Sequence, residues 1–366
     1  MKEKNITAEG LQPEKSYDTS LSFVRFVAML LVIICHIQLY FGSYLAWWFN
    51  VGVQMFFFLS GYLAGGKEIS DGFSYVKKRL LRLLLDYYVC VFSCIIIDLI
   101  LAPEVLSISG IVKLLLLQEW TEGLGHFWYV PVICFMSIIT PLLQRGLNEG
   151  EKFIARSRLP QFVAGAFVFG IFLLLFVWIG LFLSDMSFSR TLVYFLGCVA
   201  GRCKDRWKKP AAFLSISLAL VGVPLCMWHE RGEAIRFFAD HSVFYQDVFY
   251  PLVHDALGIA LFILLYEMEN HFGLFRRMER LRKFSDRYSY EIYLCHSIWI
   301  MAPIALLSGK YGGSVFGKGM LQIQIPQIQI PVVLAWIFTA FIIVLHSVLV
   351  FWISRKIRSS FGLKAA

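Results

Sequence analysis

Charge is scarce in this chain. Of its 366 residues only 16% are charged, against 58% apolar, whereas an ordinary soluble domain carries about 25% charged residues. That scarcity excludes a soluble globular protein, because one core cannot hide so much Leu, Ile, Val and Phe. Strand-like alternation of polar and apolar residues is missing too, which excludes a membrane barrel. Internal repeats and long linkers are absent, so a single domain is expected. The first apolar run follows twenty mostly polar residues, contains Arg25, His36 and Gln38, and has no small-residue cleavage site after it. It therefore reads as an uncleaved signal anchor and not as a removable leader.

Long apolar runs fill the rest. Runs of about 20 residues recur along the whole length, each able to cross a ~30 Å hydrocarbon layer as a helix, and a helix satisfies its own backbone inside lipid. The segments are Leu21–Phe41, Trp47–Gly66, Leu81–Leu101, His126–Leu143, Phe162–Leu183, Leu192–Arg202, Ala211–Trp228, Val248–Met268, Tyr288–Leu307 and Val332–Ile353. The expected fold is an all-α integral membrane protein, a single bundle of about ten transmembrane helices with both termini cytoplasmic. Residues 1–20 form one cytoplasmic tail, 21–353 the transmembrane domain and 354–366 the second tail.

The basic residues support this orientation. Of 34 Lys and Arg, only Lys113, Arg190, Arg231, Arg236, Lys310 and Lys318 fall in outer loops, and Arg25 lies within a span. The rest are cytoplasmic, as the positive-inside rule requires. The net charge of +9 is thus a topogenic signal in contact with a lipid bilayer, and no nucleic-acid partner is expected. Seven of the eight cysteines (Cys35, Cys90, Cys94, Cys134, Cys198, Cys226 and Cys295) fall in spans, where a thiol acts as a small apolar group. Cys203 is cytoplasmic. No outer loop offers a disulfide pair, and no spacing suggests zinc. Two outer loops stand apart: Pro103–Gly125, with an apolar run too short to span, and Gly309–Pro331, whose prolines argue against helix or central strand.

Polar groups inside a bilayer are costly, so each intramembrane ionisable residue is a functional candidate. Arg25 and His36 are eleven residues apart, about three helical turns, and share one face with a rise of about 16 Å. Arg25 falls near the cytoplasmic rim and His36 beyond the midplane, so the pair outlines a path from the cytoplasm to a buried base. Taken singly, Arg25 also suits a snorkelling anchor and His36 a hydrogen-bonded core histidine. Gly52, Ser60, Gly61, Gly65 and Gly66 suit close helix packing. Lys78, Arg79 and Arg82 cluster at the cytoplasmic end of the third span, with Asp86 at i+4 from Arg82 as its expected partner. Such a cluster makes a phosphate site. His126, Trp128 and Tyr129 fit an aromatic belt, Tyr293 and His296 share a face of the ninth helix, and Glu291 suits a neighbouring arginine. Asp98, His254, Asp255 and His346 form no constellation.

In order along the chain, these elements resemble the acyltransferase 3 family of bacterial membrane acyltransferases. Arg25 and His36 reproduce its Arg-x10-His. The segment GVQMFFFLSGYL resembles its G-V-x-x-F-F-x-L-S-G-(F/Y)-L. Tyr75, Lys78, Arg79 and Arg82 fit aromatic-x-x-basic-Arg-x-x-Arg. HFWYVP matches His-x-Trp-(F/Y)-x-x, and SYEIYLCH matches the late Ser-(Y/F)-x-I-Y-L-x-H. One departure is Leu85, where the family often has a proline after its Arg-x-x-Arg. Another is the tail of 13 residues after the tenth span, where many members carry a fused esterase-like domain. Any such step would be done by a separate extracytoplasmic protein or not at all.

The resemblance implies an O-acyltransferase of the bacterial cytoplasmic membrane. Acyl-CoA, most often acetyl-CoA, would be the donor, and a hydroxyl of a surface glycan, glycolipid or lipid-linked sugar the acceptor. No permanently bound cofactor or metal is implied. His36 and Arg25 are the catalytic candidates. Lys78, Arg79, Arg82, Ser60 and Gly61 would hold the donor, and His126, Trp128, Tyr293 and His296 the acceptor or the supporting site. Imidazole suits proton abstraction from a hydroxyl near neutral pH, or covalent carriage of the acyl group. The competing reading is a transporter or flippase without chemistry, which intramembrane charge and Gly-rich spans also suit. The absence of repeat symmetry counts against it.

Overall fold

The structure, a computed structural model, describes residues 18–101, 103, 106–118, 124–182, 188–203, 207–231, 235–301 and 332–360. Among them there is no strand. The chain begins with α1 (Thr19–Tyr40), whose N-terminus is capped by the Asp18 side chain accepting from the Ser20 and Leu21 amides, which satisfies donors that the first turn leaves open. It is followed by α2 (Ala46–Phe49), α3 (Val51–Gly65), α4 (Gly72–Leu101) and α5 (Ile108–Leu115). A 3₁₀ turn at Gly125–Trp128 leads into α6 (Tyr129–Arg156), then α7 (Gln161–Phe182), α8 (Phe188–Cys203), α9 (Lys208–Glu230), α10 (Arg236–Asp240) and α11 (Ser242–Phe244). A π-helical turn, Tyr245–Phe249, opens α12 (Tyr250–Phe272). The chain closes with α13 (Leu274–Arg277), α14 (Glu279–Met301) and α15 (Val332–Ser360).

Six of these stretches are long and apolar enough to cross a membrane: Thr19–Tyr40, Gly72–Ile100, Gly125–Arg156, Lys208–Glu230, Ser242–Phe272 and Trp336–Ser360. Their outward faces carry large exposed apolar side chains such as Phe92, Ile96, Phe213, Leu220 and Phe341. Such faces need lipid against them, and the protein is an all-helical, multi-pass membrane protein.

Within the described residues, each of the ten apolar segments of the sequence falls on a helix, and five of them are adjusted; residues 183 and 302–307 of two segments lie outside the described residues. The segment Trp47–Gly66 is interrupted at Asn50, so a one-turn α2 precedes α3. Helices α4 and α14 begin nine residues before the apolar runs that marked them. Helix α6 continues past Leu143 to Arg156 as a charged extension, and α15 continues past Ile353 to Ser360. Hydropathy marks only the part of a helix that lipid can solvate, and backbone hydrogen bonding continues beyond it.

The short apolar run after Pro103 forms α5, which buries Leu114 and exposes Ile108, Val112 and Leu116. The phenols of Tyr87 and Tyr88 donate to the carbonyls of Leu114 and Leu115 (2.7 and 3.1 Å), tying its C-terminal end to α4. The Gly309–Pro331 loop lies outside the described residues.

The tightest crossing joins two helices of 15 and 16 residues, α3 and α8. Gly61 and Gly65 on α3 face Gly197 and Gly201 on α8. A Cβ on Gly61 would fall on the Tyr194 carbonyl oxygen, and one on Gly201 would fall on that of Tyr62. This is a reciprocal small-xxx-small contact, which lets two backbones touch where lipid supplies no hydrophobic drive. Helix α1 packs against α3, α12 and α14, and that central place puts both Arg25 and His36 inside the bundle.

A candidate active site of three imidazoles

His36 on α1 meets two other histidines that are remote in sequence. Its ring centroid lies 4.8 Å from that of His296 on α14 and 5.8 Å from that of His126 on the 3₁₀ turn, and the last two are 4.9 Å apart. His126 and His296 are buried, at 3% and 0% exposure.

The turn and α14 lock one another. The Tyr293 hydroxyl donates to the His126 carbonyl (2.7 Å), and His126 Nε2–H donates to the Leu294 carbonyl (2.9 Å). His296 Nδ1–H donates to the Tyr293 carbonyl at 2.6 Å. A carbonyl only accepts, so these bonds place the ring protons on His126 Nε2 and His296 Nδ1. Among the described residues, the opposite nitrogens, His126 Nδ1 and His296 Nε2, are buried without a partner, as is His36 Nδ1. Two backbone carbonyls thus set two tautomers, each leaving a basic lone pair inside the protein.

Aromatic side chains wall this cluster. Tyr293 lies 5.1 Å from Tyr129 and 6.2 Å from Phe56, and Tyr129 lies 4.8 Å from Phe57. Tyr129 and His126 are therefore core residues and not members of an interfacial belt. Trp128 carries the Arg190 guanidinium 3.7 Å above its ring, a cation–π pair between α8 and the turn. The sequence reading had counted Arg190 only as loop charge.

Of the basic cluster on α4, Arg79 reaches inward. Its Nε donates to Ser137 Oγ on α6 at 2.9 Å, and its electrostatic neighbours include the phenols of Tyr75, Tyr129 and Tyr194. Tyr129 thus stands between this guanidinium and the histidine wall. Ser60 interacts with the Tyr129 hydroxyl. Lys78 and Arg82 are exposed on the same helix. Asp86 is paired with Arg358 of α15 at 2.8 Å, in place of the Arg82 partner that the i+4 spacing suggested. Gly61 is committed to the α8 crossing, where its open side meets backbone.

Arg25 and His36 share a helix but not a site. The Arg25 guanidinium pairs with Asp286 on α14 at 3.0 Å, and Asp286 also accepts from Ser22 (3.1 Å) and lies 3.9 Å from Arg282. Asp286 escaped the sequence reading because nothing in a linear pattern links residues 25 and 286. Glu291, expected to pair with an arginine, is buried with Oε2 unpartnered among the described residues.

A helical membrane bundle that encloses tautomer-locked imidazoles beside an inward-facing arginine has the construction of a membrane-embedded group-transfer enzyme. The comparison with protein families agrees. The acyltransferase 3 model, described as an acyltransferase domain, matches residues 18–353, and the chain belongs to that family. No match was found among curated proteins or among solved structures.

Proposed function

We propose that this protein moves an acyl group, most simply acetyl, from cytoplasmic acyl-CoA to a hydroxyl of a cell-surface glycan or lipid-linked sugar. The observation that carries this reading is the set of three imidazoles, each with a nitrogen left unpartnered among the described residues inside the bundle. Packing histidines satisfy both ring nitrogens, whereas a base must keep a lone pair free.

Acting as base, His36 takes the acceptor's hydroxyl proton while that oxygen bonds to the thioester carbonyl carbon. The C–S bond then breaks, and the departing thiolate recovers the proton to leave as free CoA. Alternatively, His36 accepts the acyl group itself and passes it on in a second step, which would show as a burst of CoA release before turnover. In so small a buried volume two imidazolium charges would repel strongly, so the cluster works as one proton-handling unit. Within it, His126 and His296 support His36. Arg25, held on Asp286, positions α1 and does not touch the reacting atoms.

On the donor side, Arg79 with Lys78 and Arg82 would receive the CoA phosphates, Ser60 would line the path, and the pantetheine arm would run past Tyr129 and Tyr293 to the imidazoles. This requires ten spans with both termini cytoplasmic and the Arg25 end of α1 inside, in a bacterial cytoplasmic membrane. Trp128 and Tyr293 would border the acceptor. Acyl-CoA is a substrate, and no resident cofactor is invoked. A separate extracytoplasmic protein would complete any step beyond acyl transfer.

The test uses proteoliposomes and radiolabelled acetyl-CoA. His36→Ala lowers transfer by about 10²–10⁴ while acyl-CoA binding, measured by calorimetry, persists. Retention of more than about a tenth of wild-type turnover, below any loss of that size, would make His36 a packing residue and pass its role to His296 or His126. A wild-type protein that releases no CoA in the presence of acceptor would favour a transporter.

A further inference from the structure

Three cysteine sulfurs meet where α4 packs against α14. Cys90 Sγ of α4 lies 3.7 Å from Cys295 Sγ of α14, a contact between residues 205 apart in the chain. It also lies 3.9 Å from Cys94 Sγ, one turn further along α4. All three residues are 0% exposed. The Cys295 thiol hydrogen-bonds His346 and Ser347 of α15 as well, so a third helix holds this sulfur in place beside Cys90. Cys295 immediately precedes His296 of the imidazole cluster. In the sequence these cysteines read only as small apolar groups, and no spacing joins residues 90 and 295.

A buried thiol in apolar surroundings is inert. Cys295 is set instead among polar groups of α15, and its neighbour across the helix contact is a second thiol. Bonded sulfurs stand about 2.05 Å apart, so this pair has about 1.7 Å to close. We propose that Cys90 and Cys295 form a peroxide-responsive thiol pair, whose disulfide ties α4 to α14 and slows acyl transfer. The bond stands on the contact itself, and its effect on transfer rests on the function proposed above.

Joining two thiols removes two electrons and two protons, and a peroxide accepts both. One sulfur attacks a peroxide oxygen, the O–O bond breaks, and a sulfenic acid forms as one water leaves. The second sulfur displaces that hydroxyl group, the S–S bond forms, and the second thiol's proton departs in a second water. Burial selects the reagents. Hydrogen peroxide is neutral and little larger than water, so it passes through local openings of the bundle. Glutathione is a charged tripeptide, and its charges oppose entry into the apolar interior. Reversal therefore falls to an uncharged reductant. Closure reaches the imidazoles through the backbone. The His296 ring stands 4.8 Å from that of His36, and a displacement of about 1 Å in a catalytic arrangement costs about a hundredfold in rate. Any part of the closure that α14 takes up moves His296 with it. A bond from Cys90 to Cys94 would stay within one helix and leave α14 where it is.

The experiment takes the full chain in lipid nanodiscs, treats it with hydrogen peroxide, and blocks the remaining thiols with N-ethylmaleimide after denaturation. Non-reducing digestion and mass spectrometry find the peptides of Cys90 and Cys295 joined in the wild type and in Cys94→Ala. They are not joined in Cys90→Ala or Cys295→Ala. The joined form melts higher than the reduced form, because the bond closes a long loop of the unfolded chain. Its acetyl transfer falls by about tenfold or more and returns on reduction with dithiothreitol, which is uncharged. Peroxide leaves transfer by Cys90→Ala unchanged. The proposal is overturned if both thiols are blocked in full after peroxide, or if Cys90 is joined to Cys94 instead. It is equally overturned if the joined form transfers at the reduced rate, or if Cys90→Ala loses transfer to peroxide as the wild type does. A chain with no transfer before peroxide would sink the acyl-to-glycan reading alone, and the joined peptides and the melting shift would still decide the pair.

Discussion

Helix α14 borders two buried histidine sites that are completed differently. On one side His346 of α15 receives the Trp299 indole N–H on Nδ1 at 2.9 Å, so its Nε2 carries the proton and bonds Ser93 Oγ of α4 at 2.7 Å. Ser93 in turn donates to the Cys90 carbonyl at 2.7 Å. Every polar atom in that chain is used, and three helices are tied together. On the other side, among the described residues, His296 spends one nitrogen on the Tyr293 carbonyl and leaves Nε2 open, His126 does the same with the Leu294 carbonyl and Nδ1, and His36 Nδ1 is open as well. The residue type and the burial are shared. What differs is whether the polar capacity is exhausted, and that separates a structural tie from a place where chemistry can occur.

The sharpest way to break this comparison is to remove one histidine from each side. His296→Ala should reduce turnover by about 10² or more, as for a lost proton-handling group, with little change in thermal stability. His346→Ala should do the reverse, costing about 1–3 kcal/mol because the Trp299 and Ser93 groups lose their partner, with turnover per folded molecule retained. Kinetics and melting of both variants in one lipid system decide it. Equal losses in both measurements for both variants would erase the distinction.

A smaller effect is expected at the donor side. Arg79→Ala should raise the KM for acyl-CoA by about ten- to a hundredfold, the loss of one charge-assisted contact, and leave the acceptor KM nearly unchanged. Arg79→Lys should recover only part of it, because a point charge does not reproduce a planar fork. Unchanged donor KM in Arg79→Ala would reduce this arginine to a link between α4 and Ser137. The smallest effect belongs to Arg25 and Asp286. Their side chains are 24% and 12% exposed, so solvent screens the pair, and a double-mutant cycle should give a coupling of about 1 kcal/mol. Coupling near zero would leave Arg25 as an anchor only.

Much of this molecule was legible from residues alone. The apolar runs located every major helix, and the spacing of Gly61 and Gly65 anticipated a close crossing, because small residues four apart lie on one helical face. The sequence puts Lys78, Arg79 and Arg82 in one cluster without distinguishing them, and of the three Arg79 turns inward while Lys78 and Arg82 are exposed. The pairing choices were not legible. Asp86 bonds Arg358 although Arg82 stands at the favoured spacing, because α15 delivers Arg358 to the buried side of α4 while Arg82 points outward. His126 looked like a member of an interfacial belt, since a motif of His, Trp and Tyr beside a span gives no sign that a 3₁₀ turn folds inward.

By itself the sequence determined membrane residence, helical class and the family, because hydropathy and motif order are properties of short stretches that need no partners. Only the tertiary structure decided what the ionisable residues do. Residues 36, 126 and 296 come from three separate helical elements, and whether each nitrogen is satisfied depends on carbonyls that α14 presents to its neighbours. A buried polar group takes its character from the atoms packed around it. In a helical bundle those atoms come from distant parts of the chain.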